Sequence, residues 1–448
     1  MRAVQTSIDR HSDEVRAIAG RVRDLAGRGE PVHIDKGGVH HVVPLTSDPR
    51  FRSRPIDISG LDRILSIDPE EGVCVAEPGV TFADLVRATL PHGLVPAVVP
   101  ELQGITVGGA VAGCSIESTS FRHGGFHDVA LEYEIVTGDG RVVTCSRDEE
   151  PLAFGMIHGS YGTLGILTKL TFRLVPAAPF VRMEYRRSSS ADELMRALSA
   201  ACASGSFDFV DAIGHAPDQL VLCLGTYVDA APYTSNYKWL DIYYKSTATR
   251  TEDYLTTFDY FFRYDTEAHW LTATIPPLQW KPVRFAVGRA FLGSTNLIKW
   301  SRRLGPVLGM KRRPEVVVDV FIPARRMSEF SEWYERDYAF YPLWIVPYRV
   351  VERYPWISDD HWARMEDDLM IDCAVYGKKN NDRSIDHSKT LEDKTYELGG
   401  IKTLISRNHY SRERFWSIYN EPNYRAAKDA LDPDRVFADL YEKFSKIE

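Results

Sequence analysis

The segment Pro100–Asp128, PELQGITVGGAVAGCSIESTSFRHGGFHD, concentrates bare backbone. Gly104, Gly108, Gly109, Gly113, Gly124 and Gly125 stand there among small hydroxyl residues. Glycine costs conformational entropy, so such a cluster implies special dihedrals or a partner pressed against the chain. Gly37-Gly38 and the pair Gly162 and Gly165 lie in the same N-terminal third. Main-chain N–H groups freed of side chains converge readily on an anion, which gives these groups the character of a phosphate cradle. No G-x-G-x-x-G follows a strand and no G-x-x-x-x-G-K-[ST] occurs, so neither a Rossmann site nor a P-loop is indicated. Turns and close packing explain any one group alone; three groups in one domain favour the cradle.

The elements that must position these glycines are legible around them. Val15, Ile18, Ala19, Val22 and Leu25 mark one face of a helix over about residues 12–26. TFADLVRATLPHG reads as a helix capped by Thr81 and stopped by Gly93, and GVCVAEPG as a short strand. VALEYEIVTGDGRVVTCS predicts a hairpin about Gly138-Asp139-Gly140. From Ala177 the character changes: aromatic residues crowd Tyr227–Trp300, and EVVVDVFIP, LWIVPYRVV and DLMIDCAVYG read as buried strands. At 448 residues two domains are expected, 1–176 and 177–404, with a helical segment 405–448 returning to the first. A net charge of −8 argues against general nucleic-acid binding. The N-terminus has no signal-peptide core and no apolar run spans a membrane. Six scattered cysteines without a CxxC pair indicate neither a metal centre nor a disulfide framework, and suit a cytoplasmic protein.

The order KGGVHH, EPGVTFADL, GITVGGAVAG, FRHGGFHDVALEYEIVTGDGRVV and SYGTLGILTKLTFRLVP resembles the FAD-binding domain of the vanillyl-alcohol-oxidase (PCMH-type) superfamily. Within it, VVPELQGITVGGAVAGCSIESTSFRHGGF is most similar to the 24-dehydrocholesterol reductase (Diminuto-like) family. The similarity runs on through NYKW, FYPLWIVPY, DLMIDCAVYG and HYSRERFW. It implies an α+β fold, with a PCMH-type FAD domain and a mixed-sheet substrate (cap) domain. It further implies that Gly37, Gly38, Val39, His40 and His41 lie at the pyrophosphate. Thr106, Val107, Gly108, Gly109, Gly113, Cys114, Ser115, Ile116, Glu117 and Ser118 would wrap the flavin, with Gly124 nearby and Gly165 and Ile166 toward the adenine. Lys36 and Arg122 are candidate supplementary charges. His40 stands where many oxidases of the superfamily bond the flavin covalently. The sterol-reductase branch generally lacks a histidine there, and noncovalent FAD is the favoured alternative.

If FAD carries the redox step, the protein must add or remove one proton. LISRNHYSRERFW supplies the leading candidates, Arg407, His409 and Tyr410, of which Tyr410 matches a tyrosine of the family; Glu117 is a fourth. Each also has a plain structural reading, as ion-pair partner, surface histidine, packing tyrosine and turn cap. His269-Trp270 and Tyr341 are candidate wall residues. The aromatic run is either an apolar substrate cavity or the core of the second domain. The leading expectation is therefore reduction or formation of a C=C bond in a sterol- or isoprenoid-like molecule. Oxidation of an alcohol, polyol or sugar is the alternative, and a non-catalytic flavin-binding protein a third. NADPH is left open as electron donor. The basic stretch RRLGPVLGMKRRP, with Trp280, Leu297 and Trp300, suggests peripheral membrane contact.

Overall fold

Val15, Ile18, Ala19, Val22 and Leu25 are buried along one face of the helix Arg2–Ala26, which begins earlier than its apolar spacing predicts. The computed structural model describes residues 2–37, 48–296, 315–382 and 384–445. After the helix, β1 (Val32–Asp35) and β2 (Arg54–Asp57) pair in parallel. A six-stranded antiparallel sheet follows, built from β3 (Ile64–Asp68), β4 (Val73–Ala76), β5 (Leu94–Pro96), β6 (Ala130–Val136), β7 (Val142–Ser146) and β8 (Ile166–Pro176). Its path is β3-β4-β8-β6-β7, with β5 on the far end of β8. The hairpin turns about Gly138–Gly140 as its sequence predicts, pairing Val136 with Val142, and Gly140 takes φ +74°. Thr81 caps the helix Phe82–Thr89 by accepting from the Asp84 N–H, and Gly93 ends the following turn at φ +70°.

Between Pro176 and Phe180 the chain leaves this sheet for another. The second sheet has eight strands. They are β9 (Phe180–Ser188), β10 (Phe209–Ala216), β11 (Gln219–Val228), β12 (Glu252–Thr256), β13 (Val316–Pro323), β14 (Leu343–Arg349), β15 (Leu369–Lys378) and β16 (Ile401–Lys402), ordered β12-β9-β11-β10-β14-β15-β13-β16. The three apolar runs are thus adjacent strands in the sheet. Because side chains alternate along a strand, Val318, Val320, Ile345, Ile371 and Cys373 pack on one face beneath the helices Ala191–Ser204, Met327–Trp333 and His387–Glu397. Asp319, Phe321, Trp344, Asp372 and Tyr376 therefore face the opposite way, toward the first sheet's domain. The aromatic run serves mainly as core: Tyr243, Tyr260, Phe261, Tyr264 and Trp270 are buried and none lines the large cavity described below.

The last section is helical over Arg412–Ile418, Glu421–Leu431 and Leu440–Phe444, interrupted around Pro433. It lies against the first sheet's domain: Gly138 N–H donates to Leu431 O at 2.7 Å and Lys428 Nζ to Thr163 O at 2.6 Å. The α+β architecture is the one expected. Among the described residues no helix is long and apolar enough to cross a membrane. Leu297, Trp300 and the basic stretch 302–313 lie outside those residues.

Candidate functional site

One cavity of about 1630 Å³ lies between the two domains. Pockets for drug-sized ligands run to roughly 1,000 Å³, so this one has room for a dinucleotide and a second molecule. The glycine stretch forms one wall: Thr106, Gly108, Gly109, Gly113, Cys114, Ser115 and Ile116 line it, as does Gly165. Val107, Glu117, Ser118, Gly124 and Ile166 do not. Gly38, Val39, His40 and His41 lie outside the described residues; Gly37 takes φ +65° and packs on Ser59, while its neighbour Lys36 lines the cavity.

The wall corrects the physical premise drawn from the glycines. Their amides are not held out for an anion. Gly108 N–H donates to Pro78 O at 3.0 Å, Gly113 N–H to Gly109 O at 2.9 Å, and Gly109 N–H to Thr106 Oγ1 at 3.4 Å. What glycine supplies here is close approach. A Cβ on Gly108 would lie 2.5 Å from Pro78, and one on Gly124 would meet Asp128, so these two glycines serve internal packing. A Cβ on Gly109 meets only Thr106 Oγ1 at 3.2 Å and Lys36 Nζ at 3.8 Å, on the cavity side. Gly109 therefore keeps the wall flat where a planar ring system would rest. Among the cations lining the same cavity are Lys36, Arg50 and Lys443, the last two of which sequence reasoning missed. Arg122 instead donates to Phe207 O at 2.7 Å. Burial, then nearby Arg50, pulls the Lys443 ammonium down to about 8, and its one hydrogen bond among the described residues is to the Tyr161 carbonyl, so an incoming polyanion would favour its charged form. A flat wall, ample volume and cations to neutralise a diphosphate fit an FAD.

Facing that wall is a cluster of titratable groups that the sequence did not announce. His269 Nε2 lies 2.6 Å from Glu101 Oε1, and its Nδ1 is buried without a hydrogen-bond partner. Tyr264 stacks on the imidazole with centroids 5.2 Å apart, fixing the ring plane. Burial alone would raise Glu101, but His269 holds it below the usual carboxylate range. On β13, Asp319 accepts from Tyr376 Oη and, at 3.2 Å, from Thr403 Oγ1. Burial nonetheless pushes Asp319 up to about 6. On β15, Asp372 is 1% exposed and neither carboxyl oxygen has a partner. Burial first, then the Asp319 charge, drives it well above its ordinary value. All five side chains, Glu101, His269, Asp319, Asp372 and Tyr376, line the cavity. The available signal was a lone carboxylate inside each of two β-branched runs, VVVDVFIP and LMIDCAVYG: an aspartate in a buried strand is expensive without a purpose.

The four residues singled out for proton transfer are placed elsewhere. Arg407 makes a bidentate pair with Asp386 at 2.9 and 3.0 Å. His409 lies 3.9 Å from the same carboxylate, and burial lowers its imidazole to about 4. Tyr410 Oη donates to Glu392 O at 2.9 Å. These three tie the segment to the helix His387–Glu397, while its neighbours Thr403, Ile405 and Arg412 reach the cavity. Glu117 is buried against Arg263 at 3.0 Å behind the wall; burial raises it to about 7 despite the guanidinium. Of the suggested wall residues His269 lines the cavity, Trp270 lies behind it, and Tyr341 packs on the helical face of the sheet.

A smaller annex of about 60 Å³ shares Cys114, Ile116, Tyr161, Phe321 and Thr403 with the main cavity. Tyr348, Trp356, Ile357, Met365 and Met370 give it apolar walls. Among the described residues no set of three or more His, Cys, Asp and Glu side chains gathers to hold a metal ion.

Residues 11–146 match the family described as FAD binding domain, the part of the chain that carries the flat wall and Glu101. The Delta(24)-sterol reductase of Homo sapiens is 25% identical over 460 aligned residues, covering 97% of this chain and 86% of that protein. The Delta(24)-sterol reductase of Pisum sativum is 27% identical over 438, covering 89% and 77%. Cytokinin dehydrogenase 6 of Oryza sativa subsp. japonica is 44% identical over 101 residues, 22% of this chain and 19% of that one. With its FAD-binding domain, its two-walled cavity and a likeness that runs almost end to end, the chain is an FAD-dependent oxidoreductase similar to the Delta(24)-sterol reductases.

Proposed function

We propose that this protein acts on a C=C bond of a hydrophobic, sterol- or isoprenoid-like substrate. The observation that carries the reading is the juxtaposition across one cavity of a flat glycine wall and a buried set of proton-transfer groups, with an apolar annex leading off between them. A bound flavin supplies the two-electron step, giving or taking a hydride. Gly109 and its neighbours would seat it, and Lys36, Arg50 and Lys443 would neutralise its diphosphate. The other wall handles the proton. Glu101 orients His269 and fixes which ring nitrogen faces the reaction, while Tyr376 and Thr403 hold Asp319. Trp344 and Phe321 keep that region dry, which strengthens every charge interaction inside it. The annex takes the apolar end of the substrate. NADPH is proposed as the electron donor, reaching the flavin through the open part of the cavity. Ile275, Trp280 and Phe285 form an exposed apolar set, and this supports peripheral lipid contact as the route by which substrate arrives.

Anaerobic spectroscopy on the flavin-loaded protein tests the reading. Bleaching by NADPH and recovery of the yellow colour with a Δ24-unsaturated sterol is the expected result. The ionised Glu101 beside His269 also suits a base that accepts an alcohol proton, and oxidation of an alcohol is the second reading. Bleaching by an alcohol or polyol, with no recovery by any alkene, selects it.

A further inference from the structure

Glu101, Asp319 and Asp372 bring three carboxyl groups to one cavity, and only one of them lacks any hydrogen-bond donor. Glu101 has His269, and Asp319 has the hydroxyls of Tyr376 and Thr403. Asp372 has nothing on either oxygen, and no charged partner meets it among the described residues. Antiparallel register pairs Phe321 with Asp372 and Asp319 with Ala374, so the two aspartates sit diagonally on the cavity face of neighbouring strands. Across that dry face a charge on one carboxyl group opposes a charge on the other. Tyr376 and Thr403 stabilise charge on Asp319, and Asp372, with no donor on either oxygen, is the one that keeps its proton. Met370, Trp344 and Val346 surround that carboxyl with apolar and aromatic surface rather than water.

Resting on the reading that a C=C bond is the target, we infer that Asp372 is the acid that protonates the substrate and that the site is built for reduction. The balance is complete. The O–H bond of Asp372 breaks as a C–H bond forms at one alkene carbon, and the hydride held by the reduced cofactor goes to the other. The alkene is reduced, the cofactor is oxidised, and Asp372 is left as carboxylate. Solvent restores its proton after the product leaves through the cavity mouth. An alcohol oxidase needs the reverse, an empty base at the start of the cycle, and a carboxylic acid already loaded with a proton does not serve one.

The test uses the flavin-loaded protein, wild type and the variants Asp372→Asn and Asp372→Glu, each first shown to keep its flavin. Infrared spectra are recorded at neutral pH, where a protonated carboxyl gives a carbonyl stretch distinct from a carboxylate. The expected result is a protonated-carboxyl contribution from Asp372 in the wild type, beside that of Glu117, and its loss in Asp372→Asn. In parallel, protein reduced anaerobically with dithionite is mixed with a Δ24-unsaturated sterol. Reoxidation is expected to slow about 100- to 10,000-fold in Asp372→Asn and to return in part in Asp372→Glu. Reduction by dithionite stays unchanged in all three. If the wild type reoxidises and Asp372→Asn does so as fast, or shows no loss of protonated-carboxyl intensity, Asp372 is not the donor and the inference falls while the reading of the reaction stands. If no alkene reoxidises the wild type, the reading itself fails and the inference with it.

Discussion

Gly108 and Gly109 are adjacent, yet the structure gives them different work, and substitution separates the two. Gly108→Ala drives a methyl group into Pro78 and is expected to lower thermal stability by about 1–3 kcal/mol, with or without flavin. Gly109→Val projects into the cavity and is expected to leave the fold intact while abolishing flavin retention; the protein then purifies colourless with a normal circular-dichroism spectrum. A yellow Gly109→Val protein places the cofactor elsewhere. Tyr410→Phe removes one hydrogen bond to Glu392 O, costs about 1 kcal/mol of stability, and leaves the alkene half-reaction within twofold of wild type. Glu101→Gln removes the partner that orients His269, and the same half-reaction is expected to slow at least 100-fold with flavin content unchanged. The glycines that line the cavity were legible as a group because missing side chains show in a sequence. The pairing of Glu101 with His269 was not: the two are 168 positions apart, and nothing local in either segment points to the other.

Among the elements, the N-terminal helix adds a buried polar contact to its apolar face. His11 Nδ1 lies 2.8 Å from Glu77 and Nε2 2.9 Å from Glu134, linking the helix to the loop after β4 and to β6. Burial alone would lower the imidazole, but the Glu134 and Glu77 carboxylates overcome this and raise it to about 9. A raised histidine stabilises the fold fully below its unfolded value near 6.5, and that contribution is lost as pH climbs through about 9. The midpoint of thermal unfolding is expected to fall between pH 7 and 10 in the wild type, and His11→Ala flattens that fall. The helices and the strands β13 to β15 were readable because apolar residues mark them at spacings of 3.6 and 2. The segment Arg407–Tyr410 misled because its polar residues look the same from sequence whether they face a cavity or clamp a loop onto the helix His387–Glu397.

Across the whole molecule, the cavity exists only because the second sheet and the C-terminal helices close over the glycine wall. Lys443 comes from the last helix and Lys36 from the N-terminal domain, so cofactor affinity reports on both ends of the chain. Lys443 is held at about 8; it carries its charge below that value and loses it above. Flavin affinity is therefore expected to weaken as pH rises from 7 to 9, and Lys443→Arg, which stays charged, removes most of that dependence. Equilibrium dialysis at the two pH values measures it. The alternation along β13 and β15 has a consequence for assembly itself. Were either strand to pair one position out of step, its aspartate would turn under the helices, among valines and isoleucines, where a carboxyl group finds neither water nor a donor. The aspartates that face the cavity thus also penalise mispaired sheets, and a correctly threaded second sheet is a precondition written into its own acids.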